Sequence, residues 1–155
     1  MDVSQKYAAC VAGGGKQNTR RRRSTHAVLS ASGLRPTRQR LALGSLLFDG
    51  PDRHITAEGL FEEAISARLS VSLATVYNTL HQFTAAGLLR EIAVDGAKVY
   101  FDTNMDAHSH FLNEETGELQ DIADPGLHVA NMPVAPEGLI VDRVDIIIRL
   151  RKAQA

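Results

Sequence analysis

The chain has 155 residues, 44% of them hydrophobic and 23% charged, which suits one typical domain or two small ones. Its single cysteine, Cys10, excludes an intrachain disulfide and any zinc site made only of cysteines. No apolar run approaches the ~20 residues of a membrane helix and no leader pattern opens the chain, so no membrane partner is expected and the cytoplasm is the default compartment. The net charge of −1 hides an asymmetry: residues 1–90 hold 12 Lys/Arg against 6 Asp/Glu (+6), and residues 91–155 hold 5 against 12 (−7). A basic first half suits a polyanion, although chance clustering on one ordinary domain accounts for the charge equally well.

Residues 1–24 read as a disordered basic tail, with Gly13-Gly14-Gly15 and the run Arg20–Arg23. From Thr25 the pattern is helical. A short segment ends at Gly33; Thr37 then caps a second helix carrying Leu41, Leu43, Leu46 and Leu47, which stops before Gly50-Pro51. Thr56 caps a third, with Ala57, Leu60, Phe61, Ala64 and Ile65 on one face. After a link at Arg68–Val71, Ser72 caps a fourth helix with the stripe Leu73, Val76, Leu80 and Phe83, and Gly87 stops it.

Next the period changes. Leu88–Val94 and Ala97–Asp102 are β-prone runs around Asp95-Gly96, a dipeptide that favours a type I′ hairpin turn. Helices followed by such a hairpin outline a winged helix, which places a DNA-binding domain at 25–96. Residues 97–122 read as short strands, the stretch through Pro125, Gly126, Pro133 and Pro136 is too interrupted for a long helix, and Val141, Val144, Ile146, Ile147 and Ile148 mark a buried strand within Gly138–Leu150. The second domain is accordingly 97–155, and the fold class is α+β.

Two helices joined by a four-residue link form a helix-turn-helix when the second can lie in a major groove. On the fourth helix Thr75, Asn78 and Gln82 lie opposite the apolar stripe, with Tyr77 on the flank. Asn and Gln pair with adenine, and Thr and Tyr meet a thymine methyl; an ordinary polar helix face has the same composition. Further on, His108-Ser109-His110 sets two imidazoles on one side of an extended segment, with Asp102 upstream, Asp121 beyond and His54 at the edge of the first domain. Imidazole with carboxylate suits Fe(II), Mn(II) or Zn(II), while a pair of surface histidines needs no ligand at all.

Ile55-Thr-Ala-Glu-Gly-Leu-Phe61, Ser72-Leu-Ala-Thr-Val-Tyr-Asn-Thr-Leu80 and Ala86-Gly-Leu-Leu89 resemble the ferric uptake regulator (Fur) family. Gly33–Arg40, the hairpin Asp95–Asp102 and His108-Ser-His110 extend the resemblance over roughly residues 28–122. The missing cysteine pairs and the ending Val144–Arg151 look most like its iron response regulator (Irr) branch. The resemblance implies a winged-helix DNA-binding domain followed by a small α/β dimerisation domain. It makes the chain a homodimeric transcription regulator, mainly a repressor, of iron and haem genes on A·T-rich double-stranded promoter DNA. Arg35, Arg40, Thr75, Tyr77 and Asn78 then match DNA contacts, with Tyr77 touching bases and Arg35 entering an A·T-rich minor groove. Asn78 departs from the arginine common in Fur proper.

His54, Asp102, His108, His110 and Asp121 match the family's inter-domain metal ligands, with Asp at two positions where Glu is usual. Asn113 and Thr116 replace a Cys-x-x-Cys staple, so no structural zinc held by four cysteines is expected, and Ala107, Ser109 and Arg143 replace the ligands of a further family site. The Irr branch implies haem sensing, with His108 or His110 as an axial ligand, although Cys10-Val11 lacks the Cys-Pro motif. Two other readings stay open: a DNA-binding regulator with no small-molecule sensing, and a small His/Asp metalloenzyme. The enzyme is disfavoured, because no His-Glu-x-x-His or substrate pocket is evident.

Overall fold

A computed structural model describes residues 24–95, 98–123 and 127–153. Residues 1–23 of the expected tail, Gly96-Ala97 of the expected turn and Pro125-Gly126 lie outside them. The chain divides into two compact units between Met105 and Asp106.

The first unit opens with α1 (Thr25–Ala31), α2 (Arg38–Phe48), β1 (His54–Ile55), α3 (Ala57–Ser66) and α4 (Leu73–Ala85). Each helix starts where a hydroxyl accepts from a backbone N–H one turn ahead: Ser24 from Ala27, Thr37 from Arg40, Thr56 from Gly59 and Ser72 from Thr75. Gly33 (φ +76) and Gly87 (φ +70) end α1 and α4 in the left-handed conformation that glycine adopts without a Cβ penalty. Leu29, Leu43, Leu47, Leu60, Val76, Leu80 and Phe83 interlock as the core, each nearly or wholly excluded from water. At ~1.5–3 kcal/mol for each fully buried side chain, this cluster is the main favourable term for the unit. Buried Thr79 widens the stripe on α4, whereas Ile65, expected on the inner face of α3, is 53% exposed at that helix's last turn.

The hairpin follows as β2 (Arg90–Asp95) and β3 (Lys98–Asp102), joined by β1 in a sheet of order β1-β3-β2. β3 pairs with both neighbours, so it belongs to the first unit, and the domain boundary falls after it and not at 96/97. The two-residue strand β1 carries no period of its own. It is held by backbone and side-chain bonds: the Arg53 N–H donates to Thr103 Oγ1 (2.9 Å), and the Thr103 N–H donates to the Arg53 carbonyl (3.1 Å).

In the second unit β4 (Ser109–Asn113) pairs antiparallel with β5 (Leu119–Ile122) and parallel with β6 (Ile147–Leu150). The parallel pairing requires a long crossover, here the irregular stretch between β5 and β6. The final strand is shorter than the sequence suggested, and it is not buried: Val144, Ile148 and Leu150 are 42%, 36% and 42% exposed. It is an edge strand, and among the described residues no element forms a layer over its outer face. Among the described residues no helix is long and apolar enough to cross a membrane.

Packing around Gly44 yields a test. A Cβ there would stand 2.5 Å from the Thr25 methyl, whose hydroxyl is held by Asp49 (3.0 Å). Gly44→Ala gains about 1 kcal/mol of helix propensity but loses ~1–3 kcal/mol to overpacking, so it should destabilise the unit. In a Thr25→Ser background, which keeps the hydroxyl and removes the methyl, the same change should become neutral or stabilising. Chemical denaturation of the four variants measures this, and additive effects would show that the contact does not matter.

Candidate metal centre and DNA-facing helix

α4 exposes Tyr77 and Asn78, while Thr75 is half-buried and its hydroxyl lies 2.9 Å from that of the capping Ser72. The Tyr77 hydroxyl donates to Glu58 Oε1 (2.5 Å) at the start of α3. That bond holds the Glu58 carboxyl below its ordinary range and raises the Tyr77 phenol, because proton loss from the phenol would set two anions side by side. The Tyr77 ring also stacks on His81 (centroids 6.3 Å), and His81 meets Phe101 edge-on.

Arg40, expected at the DNA, is engaged within the protein. Its Nε donates to Gln82 Oε1 on α4 (3.0 Å), and its NH1 donates to the Arg35 carbonyl (2.9 Å). Arg35 itself is exposed. The Arg40 guanidinium thus braces the segment carrying Arg35 against the fourth helix. Gln82, read from the sequence as a base-facing residue, is the other end of that brace.

Of the five expected ligands, His54 and Asp102 come together in the first unit. They face each other across β1 and β3, with His54 Nε2 3.6 Å from Asp102 Oδ2. Asp102 is completely buried, and its other oxygen accepts from the Asn104 N–H (2.8 Å). Arg90 stands opposite Asp102 on β2 and is 8% exposed, so His54, Asp102 and Arg90 form one row across the three strands. The sequence reading missed Arg90 and Glu58, because their partners lie on other elements and no local spacing connects them.

The other three ligands converge in the second unit. His110 is buried in β4 opposite Asp121 of β5, and the His108 and His110 rings have centroids 4.4 Å apart. His108 Nε2 lies 3.0 Å from Asp121 Oδ1, and His110 Nε2 lies 3.7 Å from the same oxygen. His108 Nδ1 is 2.6 Å from the Asp106 carbonyl. A carbonyl only accepts, so Nδ1 carries a proton there, and in a neutral ring Nε2 presents its lone pair toward the carboxylate. With a proton on Nε2 the pair is an imidazolium–carboxylate bond; without it, Nε2 and Asp121 Oδ1 both present lone pairs that a cation can accept. Two imidazoles, that of His108 oriented by a backbone carbonyl, beside a carboxylate and with no thiolate among the described residues, form a donor set that fits a divalent first-row metal.

Asn113 and Thr116 close the β4–β5 turn by hydrogen bonding. Asn113 Oδ1 accepts from the N–H groups of Glu115 (3.0 Å) and Thr116 (3.3 Å), and Thr116 Oγ1 accepts from that of Glu118 (3.3 Å).

Comparison with known proteins agrees with this outline. The ferric uptake regulator family matches residues 31–148. The ferric uptake regulation protein of Bordetella parapertussis is 30% identical over 115 residues, covering 74% of this chain and 83% of that protein. The manganese-containing ferric uptake regulator structure from Pseudomonas aeruginosa superimposes with a TM-score of 0.63 at 26% identity, covering 85% of this chain and all of that one. The Vibrio cholerae regulator shares the fold, with a TM-score of 0.65 at 22% identity over 82% of this chain and 98% of that one. The α+β architecture is therefore a DNA-binding domain followed by a dimerisation domain, and the chain belongs to the ferric uptake regulator family of dimeric, metal-responsive transcription regulators, which are not enzymes.

Proposed function

We propose that this protein is a repressor of iron- and haem-homeostasis genes, of the Irr branch, that binds A·T-rich promoter DNA under the control of a divalent ion. His54 and Asp102 of the first unit, with His108, His110 and Asp121 of the second, are its ligands for iron, manganese or zinc. The observation that carries this reading is the approach of two imidazole nitrogens to one Asp121 oxygen, with the His108 ring oriented by the Asp106 carbonyl. The manganese in the Pseudomonas aeruginosa relative supports the choice of ion. A donor set divided between two units makes ion binding favour one arrangement of them, and an ion that prefers one arrangement shifts the population toward it. Haem, with His108 or His110 as axial ligand, is the competing effector.

A gel shift on A·T-rich promoter duplexes, titrated separately with manganese, iron, zinc and haem, tests the reading. The wild type should change affinity by roughly 5- to 150-fold on saturation, and His108→Ala/His110→Ala should abolish the response while leaving the far-ultraviolet spectrum unchanged. Equal response curves would remove these histidines from the sensor.

On the DNA side, the outer face of α4 and the exposed Arg35 support two kinds of contact. Tyr77→Ala should cost ~1–3 kcal/mol at a preferred site and relax sequence preference, as expected when an apolar base contact is lost. Arg35→Ala should weaken binding to A·T-rich sites and reduce the salt slope by about one unit. Full-strength binding by both variants would move the interface elsewhere.

The exposed apolar run of Leu139, Ile140, Val144, Ile148 and Leu150 is the surface we assign to the dimer. Ile148→Lys should lower the mass measured by light scattering from dimer toward monomer and weaken operator binding. A dimer that survives this change unaltered would place the interface elsewhere.

A further inference from the structure

The bond between Tyr77 and Glu58 joins the outer face of α4 to the first turn of α3, and both side chains are exposed. With Lys98 they line a cleft between α3, α4 and β3. Glu58 has an evident local use, since an acid in the first turn of a helix complements its dipole. Any acid at that position would serve, however, and Glu58 also reaches across to another helix and holds a hydroxyl. A tyrosine on a helix surface ordinarily samples several rotamers. Here the phenol oxygen is fixed at one end and the ring is stacked on His81 at its face, so the ring edge has one direction.

Charge adds a second consequence. Residues 24–105 carry 7 Lys/Arg against 8 Asp/Glu, so the positive balance of the first half lies in the segment before them, Lys6, Lys16 and Arg20–Arg23, and not in the residues that carry α4. A carboxylate beside the groove-facing tyrosine lowers the affinity for every duplex alike.

We infer that Glu58 is a specificity-determining positioning residue: it aims the Tyr77 ring at its base contact and, by its charge, makes DNA binding depend on that contact. The inference rests on the proposed role of α4 as the recognition helix. A ring held in its bound direction loses less entropy on docking, and preorganisation of this kind favours the sequence it fits over others.

The test uses full-length dimer with Mn(II). Wild-type protein selects duplexes from a randomised pool, and affinities are then measured for the best duplex and for an unrelated one. Glu58→Gln keeps an acceptor oxygen at the same reach and removes the charge; it should preserve the preference while binding both duplexes roughly two- to threefold more tightly. Glu58→Asp keeps the charge at the helix start but falls short of the phenol, and it should lose roughly tenfold in preference with unchanged thermal stability. Tyr77→Phe should lose a similar factor, and combining it with Glu58→Asp should add nothing further. If Tyr77→Ala abolishes the preference while Glu58→Asp and Tyr77→Phe retain it, the tyrosine reads bases unaided and the inference fails. If Tyr77→Ala itself changes nothing, or wild type selects no sequence, the recognition-helix reading fails first, and the inference falls with it.

Discussion

Moving β3 by one residue against its neighbours would undo both the core and the His54–Asp102 pair of the first unit. β3 is the central strand of its sheet, and Tyr100, Phe101 and Asp102 are all buried on it. Phe101 packs into the core beneath the helices, and Asp102 is set between His54 and Arg90. Because successive side chains point to opposite faces, a slip that removed Asp102 from His54 would also remove Phe101 from the core. Burial of a phenylalanine stabilises by ~1.5–3 kcal/mol, so the apolar contact holds the polar pair in register. This resolves an apparent cost. A carboxylate with no exposure is expensive to bury, and it is tolerated here because the strand that delivers it is fixed by packing and because the Asn104 N–H donates to it and the His54 imidazole stands beside it.

The second unit solves the same problem with fewer apolar contacts. Among the described residues, only Leu112 and Leu119 are buried hydrophobics on its strands, so hydrogen bonds carry more of the order. Asn113 and Thr116 organise the turn, and the turn is tied to the end of the chain: the Glu114 N–H donates to the Leu150 carbonyl (2.9 Å), and Arg149 pairs with Glu114 (3.2 Å). This places β6 beside β4 and keeps β4 and β5 in the register that sets His110 against Asp121. A small sheet with a thin core and an exposed apolar edge is marginal as an isolated body. Regulators of this family are dimeric, and pairing of two copies over that edge, as proposed above, would supply the burial that one copy lacks.

What was legible in the sequence follows from how local each signal is. The caps Thr37, Thr56 and Ser72, the two terminal glycines and the stripe Val76–Leu80–Phe83 are read within one or two turns of chain, and the structure has them where the spacing put them, while Ser24 as the first cap emerges only from the structure. The apolar content of Val144–Leu150 was equally plain, but its burial was not, since burial depends on what lies opposite and the described residues offer no covering layer. β1 was not legible, because two residues form a strand only through β3 and the Arg53–Thr103 bonds. For the site, residue types and spacing grouped the histidines and aspartates, and the structure brings them together as a pair in one unit and a trio in the other. Arg90 and Glu58 were hidden for the same reason as β1, their partners being fixed by tertiary pairing, whereas the Asp106 carbonyl meets His108 only two residues on and leaves no mark in residue type.

Arg40 shows how such hidden partners change the meaning of a residue that sequence reading had singled out. A guanidinium offers five donors in a rigid plane, and Arg40 directs two of them to groups on different elements, the Gln82 amide oxygen and the Arg35 carbonyl. A lysine would provide the charge but not the fixed fork, so the arrangement uses the geometry of arginine and not merely its sign. The two bonded groups lie beside the two parts of the surface assigned to DNA, the exposed Arg35 and the outer face of α4. Minor-groove width and major-groove base edges report different properties of a duplex. Reading both at once requires that the distance between the two probes be set before DNA arrives, since otherwise each contact forms at the expense of ordering the other. On the DNA reading proposed above, the Arg40 brace would set that distance from within the protein, so that its bonds to Gln82 and to the Arg35 carbonyl would govern which combinations of groove shape and base sequence can be read together.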